Sequence, residues 1–464
     1  MKKSLLILTK TILIALVLCL SFTGCNPSSS GGESTTTVQT TVQDITTEVL
    51  DPYSNVNVVN EVPRNYLFNN GDQYFCSTGR LTGAMFVDYS ADGGSRTNGG
   101  VTFNWDAGRR GGHFGHAMVE YEDGKILAFY PNCSDDNYGH CGRGWMEYKR
   151  SEDYGQTWSD PIIFQPSWDK FFGSGKNVSL MCEKALVTDD GTIIVFGCSC
   201  EVTVNPIPGL EGGLPDASAL WEPYQIPTYY TSKDGGETWE GPFDVCSYTG
   251  RVQDAVIRNG TIYALVDAWE GKYHQLVVST DGGKTFQERA KLPFPGECYY
   301  GTLGFLPSGE LIAYTYAEYE DDEENKFDIS ERDTAFSVSS DGGRTWGKLR
   351  TTYFAKRLRN PQMVKFGNTY FMFGRSGNLG GAGVEGHHFV MYCSTDGINW
   401  DEGRYLRQQT PYIGTCFYSN TLVVGTFNPN VPDRLYVQAS VAYKRHQTNI
   451  MYWWFDAYTL VKES

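Results

Sequence analysis

The sequence has little positive charge and few histidines. Its 464 residues include 38 lysines and arginines against 54 aspartates and glutamates, which gives a formal net charge of −16. Binding nucleic-acid phosphates requires a basic face, so we expect no nucleic-acid partner. The seven histidines and twelve cysteines form no C-x-x-C or H-x-x-x-H pattern of a zinc site. The sequence therefore predicts no metal and no other cofactor.

Long apolar runs are also scarce, and the one at the N-terminus extends from Leu5 to Leu20 after two lysines. A short apolar core behind a basic start is typical of an export signal. The next residues, Phe22-Thr23-Gly24-Cys25, resemble the bacterial lipobox, whose cysteine carries lipid; cleavage without lipid is the alternative. We therefore predict a lipoprotein signal peptide over 1–25 and a Ser/Thr-rich tether over 26–60. The lipobox resemblance implies a protein on the extracellular face of the membrane, which touches the membrane only through the lipid on Cys25.

One short pattern recurs along the rest of the chain, and glycine is abundant, with 52 in all. In each copy Ser, Asp and Gly stand at fixed places before a closing aromatic residue. Ser and Asp side chains can bond turn amides and Gly accepts positive φ, so each copy is expected to join the last two strands of a four-stranded unit. The copies are Ser151–Trp158, Ser232–Trp239, Ser279–Phe286, Ser339–Trp346 and the shorter Ser394–Trp400.

The repeated pattern resembles the Asp box, or BNR repeat, of the sialidase (neuraminidase) superfamily. This resemblance implies an all-β fold, a six-bladed β-propeller over residues 61–464, with one blade that has no recognisable box. N-terminal strands within 61–108 would close the ring against the last blade. Asp boxes lie on the outer edge of such propellers, so we expect the chemistry at the starts of the inner strands.

The resemblance also implies a set of catalytic residues. A retaining sialidase uses a tyrosine nucleophile activated by a glutamate, together with an aspartic acid that protonates the leaving group. The segment Cys416–Leu422 resembles the family segment that carries the nucleophile, which assigns this role to Tyr418. Glu297 opens a strand, as the family's base does. Asp135 and Asp136 lie near the position of the acid.

The carboxylate clamp of the family is matched only in part. Sialidases bind the substrate carboxylate with three arginines, since guanidinium groups bind carboxylates in bidentate fashion. Arg332 and Arg375 are in suitable positions for two of them, and Arg251 begins the third blade. Phe114 stands where the first arginine belongs, and Arg110 is close by but out of register.

Histidines are concentrated near the missing arginine, at His113, His116 and His140. Histidine titrates near neutrality and can act as acid, base or ligand, so we add His113 and His116 to the candidate substrate-binding residues. An altered clamp beside a retained nucleophile suggests a relative that acts on a different sugar.

Three functions remain open. The leading hypothesis is a monomeric glycoside hydrolase of the sialidase type, exo-acting on terminal acidic sugars of glycans. The second is a polysaccharide lyase on the same propeller, in which a His/Tyr pair removes a proton beside a uronate carboxylate. The third is a non-catalytic glycan-binding propeller that stacks sugars on Trp221, Trp269 or Tyr299.

Overall fold

The computed structural model describes most of the region after residue 82 and three short strands before it. The described ranges are 5–7, 67–70, 73–76, 83–112, 115–134, 144–173, 178–201, 224–269, 272–295, 298–317, 333–376, 388–408, 417–444 and 447–462. They fold almost entirely as β-strands, and the helix among them is α1 (Gln165–Gly173). None of these ranges contains a helix that is both long and apolar enough to cross a membrane.

Short strands precede the blades: β1 (Leu5–Ile7), β2 (Leu67–Asn70), β3 (Gln73–Cys76), β4 (Ala84–Val87), β5 (Gly94–Asn98), β6 (Val101–Trp105) and β7 (Arg110–Gly111). The first blade contains β8 (Met118–Glu122), β9 (Lys125–Ser134), β10 (Gly144–Ser151) and β11 (Ile162–Ile163). The second contains β12 (Val178–Val187), β13 (Ile193–Glu201), β14 (Thr228–Ser232) and β15 (Glu240–Asp244).

The third blade contains β16 (Gly250–Arg258), β17 (Thr261–Ala268), β18 (Tyr273–Ser279) and β19 (Gln287–Lys291). The fourth contains β20 (Cys298–Phe305), β21 (Leu311–Ala317), β22 (Asp333–Ser339) and β23 (Arg350–Tyr353). The fifth contains β24 (Arg359–Phe366), β25 (Thr369–Arg375), β26 (His388–Ser394) and β27 (Arg404–Gln408). The sixth is built on β28 (Ser419–Val424), β29 (Arg434–Lys444) and β30 (Gln447–Lys462).

The chain closes into a six-bladed ring, so the predicted fold class is confirmed. The first strands of the blades are β8, β12, β16, β20, β24 and β28; each contacts the next, and β28 contacts β8. We call these six the inner strands. In the sixth blade the N-terminal strand β4 pairs with β30, with Val87 opposite Ile450. Distant parts of the sequence therefore hold one blade together.

The middle strands of the blades are apolar on both faces because each blade packs against two neighbours. In β13, Ile193, Ile194, Val195 and Phe196 are all fully buried, so no alternation of polar and apolar residues is visible. The outer strand β15 is exposed along its whole length. Each fully buried side chain of this size contributes about 1.5–3 kcal/mol to stability, so most of the fold's stability comes from blade-to-blade packing.

Four of the repeated turns have the same internal hydrogen bonds, and in the fifth the Asn399 side-chain amide bonds Asp396 where the others use a threonine hydroxyl. In the first, the Asp153 carboxylate accepts from the amide of Thr157 at 2.8 Å and from its hydroxyl at 2.6 Å. The Ser151 hydroxyl donates to Asp153 and accepts from the Gly155 amide, both at 2.8 Å. Gly155 has φ 77°, which glycine adopts without strain. These contacts close the turn within itself, on the side of the blade away from the inner strands.

Candidate active site

A cavity lies on the axis of the ring, where all six inner strands begin. It has about 410 Å³ of empty space, counting the part open to solvent. Every blade contributes at least one lining residue, and one from each is His116, Glu183, Gln253, Tyr300, Asn360 and Tyr418. We call this the axial cavity.

Four of the lining residues lie at the same kind of backbone irregularity, a β-bulge in an inner strand. In β12, β16 and β20 the pairing with the next strand skips one residue, which is Glu183, Gln253 and Tyr300 respectively. In β24 the pairing skips from Arg359 to Gln362, so Asn360 and Pro361 lie in the irregularity. A β-bulge turns the extra residue out of the alternation of the strand. The four bulges therefore direct polar side chains towards the axis from strands that are otherwise buried.

Two tyrosines meet inside the cavity. The hydroxyl oxygens of Tyr418 and Tyr300 are 2.6 Å apart, and their rings pack edge to face with centroids 5.5 Å apart. Burial raises the pKa of Tyr300 well above its ordinary value, and the neighbouring Tyr418 raises it further, while Arg251 opposes this. Tyr300 therefore keeps its proton, and its hydroxyl can donate a hydrogen bond to the Tyr418 oxygen, although either hydroxyl can be the donor in this contact.

Arginines surround the tyrosines. The Arg375 guanidinium lies 5.7 Å from the ring centroid of Tyr418, and Arg359, opposite it on the paired strand, lies 5.2 Å from the ring of Tyr316. Tyr316 in turn stacks on Tyr300. Arg375 is 6% exposed, its Nε has no hydrogen-bond partner, and no carboxylate of the described residues pairs with it. A buried cation without a counterion favours binding of an anionic group beside Tyr418.

Arg251 is held differently. Its Nε and Nη2 donate to the two oxygens of Glu183, at 2.8 Å and 3.2 Å, and both side chains are almost fully buried. Burial alone would lower the pKa of Arg251, but Glu183 raises it well above the ordinary value. The guanidinium also lies 5.2 Å from the ring centroid of Tyr300. The charges of Glu183 and Arg251 neutralise each other, so the main effect of this ion pair is to hold both side chains in position in the cavity wall.

A second polar layer lies beneath the bulges. Lys184 Nζ contacts Asp254 Oδ1 at 2.9 Å and donates to Asn420 Oδ1 at 3.0 Å. Asp254 Oδ2 accepts from the hydroxyl of Thr302 at 2.7 Å, and Asn420 donates to the carbonyl of Glu183 at 2.9 Å. These bonds join four inner strands directly below the cavity floor. They therefore fix the relative positions of Glu183, Tyr300 and Tyr418.

The candidate residues from the sequence fall into three groups. Tyr418, Arg251 and His116 line the axial cavity, and Arg375 contacts Tyr418 from behind. Arg110 lies elsewhere, because its Nε donates to Asn132 at 2.6 Å and its guanidinium is 4.8 Å from the ring of Trp145. That setting is structural. The remaining candidates lie outside the described residues: Glu297, Asp135, Asp136, Arg332, His113 and His140.

Sequence reasoning missed Glu183, Gln253, Tyr300, Asn360 and Arg359. One signal was available: β12 and β16 carry charged residues, such as Glu183 and Asp254, within apolar runs. A charge inside a buried strand indicates a partner or a site. Among the described residues, no group of three or more His, Cys, Asp or Glu side chains could hold a metal ion.

Comparisons with known proteins agree with this architecture at the level of fold. No family model and no curated protein matches the chain. A solved protein of unknown function from Dyadobacter fermentans DSM 18053 aligns with a TM-score of 0.55 and 15% identity, over 75% of this chain and 95% of that one.

Two sialidases align about as well. Trypanosoma rangeli sialidase, in complex with 2,3-difluorosialic acid as a covalent intermediate, has a TM-score of 0.53 and 14% identity, over 80% of this chain and 58% of that one. NanB sialidase from Streptococcus pneumoniae has a TM-score of 0.51 and 13% identity, over 80% of this chain and 70% of that one. The chain therefore has the six-bladed propeller fold of sialidases, and it spans a little over half the length of the trypanosomal enzyme.

Proposed function

We propose that this chain is a glycoside hydrolase of the sialidase type, exo-acting on terminal acidic sugars of glycans. The observation that carries the proposal is the 2.6 Å contact between the Tyr418 and Tyr300 hydroxyls, beside the buried guanidinium of Arg375, which no carboxylate of the described residues neutralises. A nucleophile in the axial cavity with a cation next to it that can bind a carboxylate is what such a reaction needs.

The proposed chemistry proceeds in two displacements. The Tyr418 oxygen attacks the anomeric carbon as its proton passes to a base, and the bond to the leaving-group oxygen breaks as that oxygen takes a proton from an acid, which forms a glycosyl-tyrosine intermediate. Water then attacks the same carbon, gives its proton to the deprotonated acid, and the Tyr418 oxygen leaves and takes its proton back from the base. The Tyr300 hydroxyl lies 2.6 Å from the Tyr418 oxygen and can donate a hydrogen bond to it, so it can stabilise negative charge there in both displacements. Glu297 as the base and Asp135 or Asp136 as the acid stay predictions.

The test uses the purified full chain and a panel of aryl glycosides that includes an α-sialoside, a glucuronide and a neutral galactoside. We expect release of the aryl group from an acidic member. Treatment with 2,3-difluorosialic acid should add the mass of one sugar to the peptide that contains Tyr418. Hydrolysis of the α-sialoside without any adduct on that peptide would contradict the assignment of Tyr418.

A second candidate is a polysaccharide lyase, favoured by one observation. His116, which is 3% exposed, lines the cavity together with Tyr300 and Arg251. In a lyase such a pair would remove the proton beside a uronate carboxylate, and the oxygen at the next carbon would leave with its bonding electrons. The product carries a C=C bond that absorbs ultraviolet light. Appearance of this absorbance on acidic polysaccharides, without hydrolysis of aryl glycosides, would favour the lyase.

We also propose that the protein acts at the outer face of the cell membrane. The support is the sequence alone, in which the apolar segment is followed by Phe22-Thr23-Gly24-Cys25 and a Ser/Thr-rich tether. The five repeated turns, which resemble Asp boxes, are consistent with a secreted propeller of this superfamily. A fatty-acid probe should label the wild type but not Cys25→Ala; equal labelling of both would refute the anchor.

A further inference from the structure

Asn360 is a buried amide without a hydrogen-bond partner among the residues that the structure describes. The residue is 5% exposed, and neither its Oδ1 nor its Nδ2 is bonded to any of them. Buried carboxamides in folded proteins are almost always hydrogen-bonded. The side chain also lines the axial cavity, so a ligand there can satisfy it.

The backbone at Asn360 supports the same conclusion. The residue has φ 53°, in the left-handed region, and it lies in the bulge of β24. The next residue is Pro361, which has no amide proton and cannot contribute to strand pairing. Left-handed non-glycine residues and bulges concentrate at binding sites, where they direct a side chain away from the regular strand.

Two polar neighbours of Asn360 already have partners within the protein, whereas a third has none among the described residues. Gln253, which also lines the cavity, donates to Asp267 at 3.4 Å, and Glu183 is paired with Arg251. The buried hydroxyl oxygen of Ser419, next to Tyr418, has no hydrogen-bond partner. Among the described lining residues, Asn360 and Ser419 therefore both offer hydrogen bonds that the protein itself leaves unused.

We propose that Asn360, assisted by Ser419, binds two neighbouring hydroxyl groups of the sugar in the axial cavity. A carboxamide has an acceptor and two donors in one plane, and each sugar hydroxyl can both donate and accept, so adjacent hydroxyls can pair with its oxygen and nitrogen together. The proposal depends on the proposed function for the statement that the occupant is a sugar. It adds that the substrate is selected by a pair of hydroxyls as well as by its carboxylate.

The experiment measures binding in the full-length Tyr418→Phe protein, which should bind without cleaving. The probes are the methyl glycosides of sialic acid and of glucuronic acid, each with a set of analogues that lack one hydroxyl. Asn360→Gly removes the amide and tolerates the positive φ. The matched control is Asn259→Gly, because Asn259 also has a left-handed backbone, with φ 50°, but lies in the turn after β16, away from the axial cavity.

We expect removal of either of two adjacent hydroxyls to weaken binding by about 10-fold or more when Asn360 is present. In Asn360→Gly the complete methyl glycoside should bind as weakly as the analogues that lack one of these hydroxyls, so the difference in affinity between them should vanish. Asn259→Gly should leave the affinity for every probe unchanged. Equal weakening of all probes by Asn360→Gly, or no change, would overturn the proposal, as would failure of all probes to bind. Hydroxyl-dependent binding without hydrolysis by the wild type would leave this inference intact and refute the proposed hydrolase.

Discussion

The outer turns and the axial bulges both recur in several blades. The turns have similar side chains, whereas the bulges share only an irregularity of the backbone. In the outer turns Ser and Asp recur each time, as in Ser151 and Asp153, with Thr in four turns and Asn399 in the fifth, and their hydrogen bonds are satisfied within the turn. At the axis the backbone bulge is repeated, whereas the side chain it presents is Glu183, Tyr300 or Asn360. A turn that must close on itself restricts its residues. A bulge that opens into a cavity leaves the side chain free to serve function.

The two regions also differ in how their polar groups are satisfied. Outer carboxylates are exposed or half-buried and bonded to nearby amides, so each contributes modestly to stability. Axial groups are buried, and Arg375 and Asn360 have atoms that no described residue satisfies. Uncompensated polar groups destabilise a fold, and they are tolerated where binding uses them. Mutations should therefore reduce stability at the outer turns and activity at the axis.

The largest effect is expected at Tyr418. Tyr418→Phe should reduce kcat by about 1,000-fold or more, because it removes the nucleophilic oxygen, while stability changes by only about 1 kcal/mol. Tyr370→Phe is the matched control, since that hydroxyl donates to the Phe305 carbonyl at 2.8 Å between blades. It should cost a similar amount of stability and leave kcat unchanged. Undiminished turnover in Tyr418→Phe would contradict the nucleophile assignment.

Arg375 should follow. Arg375→Gln is expected to lower kcat/KM for an acidic glycoside by about 100-fold, since the substrate carboxylate loses a buried guanidinium that no carboxylate of the described residues neutralises. A neutral glycoside should be affected far less. Arg258→Gln serves as the control, because Arg258 is exposed and lies 4.7 Å from the ring of Phe305, away from the axial cavity. Equal losses on acidic and neutral substrates would show that Arg375 supports the structure only.

Tyr300 should have a smaller effect. Tyr300→Phe removes the hydroxyl that lies 2.6 Å from the Tyr418 oxygen and can donate to it, so negative charge on that oxygen loses stabilisation in the transition state. We expect kcat to fall by about 10-fold while KM changes little, as measured by steady-state kinetics. A higher KM at unchanged kcat would indicate that Tyr300 contributes to substrate binding alone.

Breaking an outer turn should affect stability only. Asp234→Ala removes the acceptor of the Thr238 amide and of the Ser232 hydroxyl, and we expect a loss of about 1–2 kcal/mol in the free energy of unfolding. The kcat on the best glycoside should stay within about twofold, because the turn lies far from the axis. Denaturant titration and a standard assay measure both quantities on the same sample. A large loss of kcat with unchanged stability would reverse the comparison between the two regions.

The smallest effect is the acid dependence of the outer turns. Hydrogen bonds from Thr238 and Ser232 lower the pKa of Asp234 to about 2; burial would raise that of Asp281, but its bonds to Thr285 and Ser279 lower it to about 2 as well. A carboxylate with a depressed pKa stabilises the fold above its unfolded pKa, and this contribution is lost as pH falls from about 4 to about 2. Asp234→Asn should therefore show a shallower decline in stability over this range, as measured by thermal unfolding. An unchanged slope would show that the turn does not contribute.

The sequence predicted the parts of the fold that depend on local contacts. The Ser-Asp-Gly pattern specifies a turn within eight residues, and its resemblance to the Asp box implied a six-bladed propeller, which is confirmed. Tyr418 and Arg375 were named from the segments around them, and the structure brings them into contact. Arg110 was named for its proximity along the chain, and it lies instead among Asn132 and aromatic rings.

The axial cavity depended on the tertiary structure. A bulge is a mismatch between two strands, so Glu183, Tyr300 and Asn360 are turned towards the axis only once their strands pair with the next strand of the blade. No local pattern marks such a mismatch, because the same residues in a regular strand would alternate between two packed faces. The sequence by itself therefore determined the propeller and its outer turns, where every bond is made between near neighbours. Closure of the ring decided which polar groups meet on the axis and which of them remain available to a ligand.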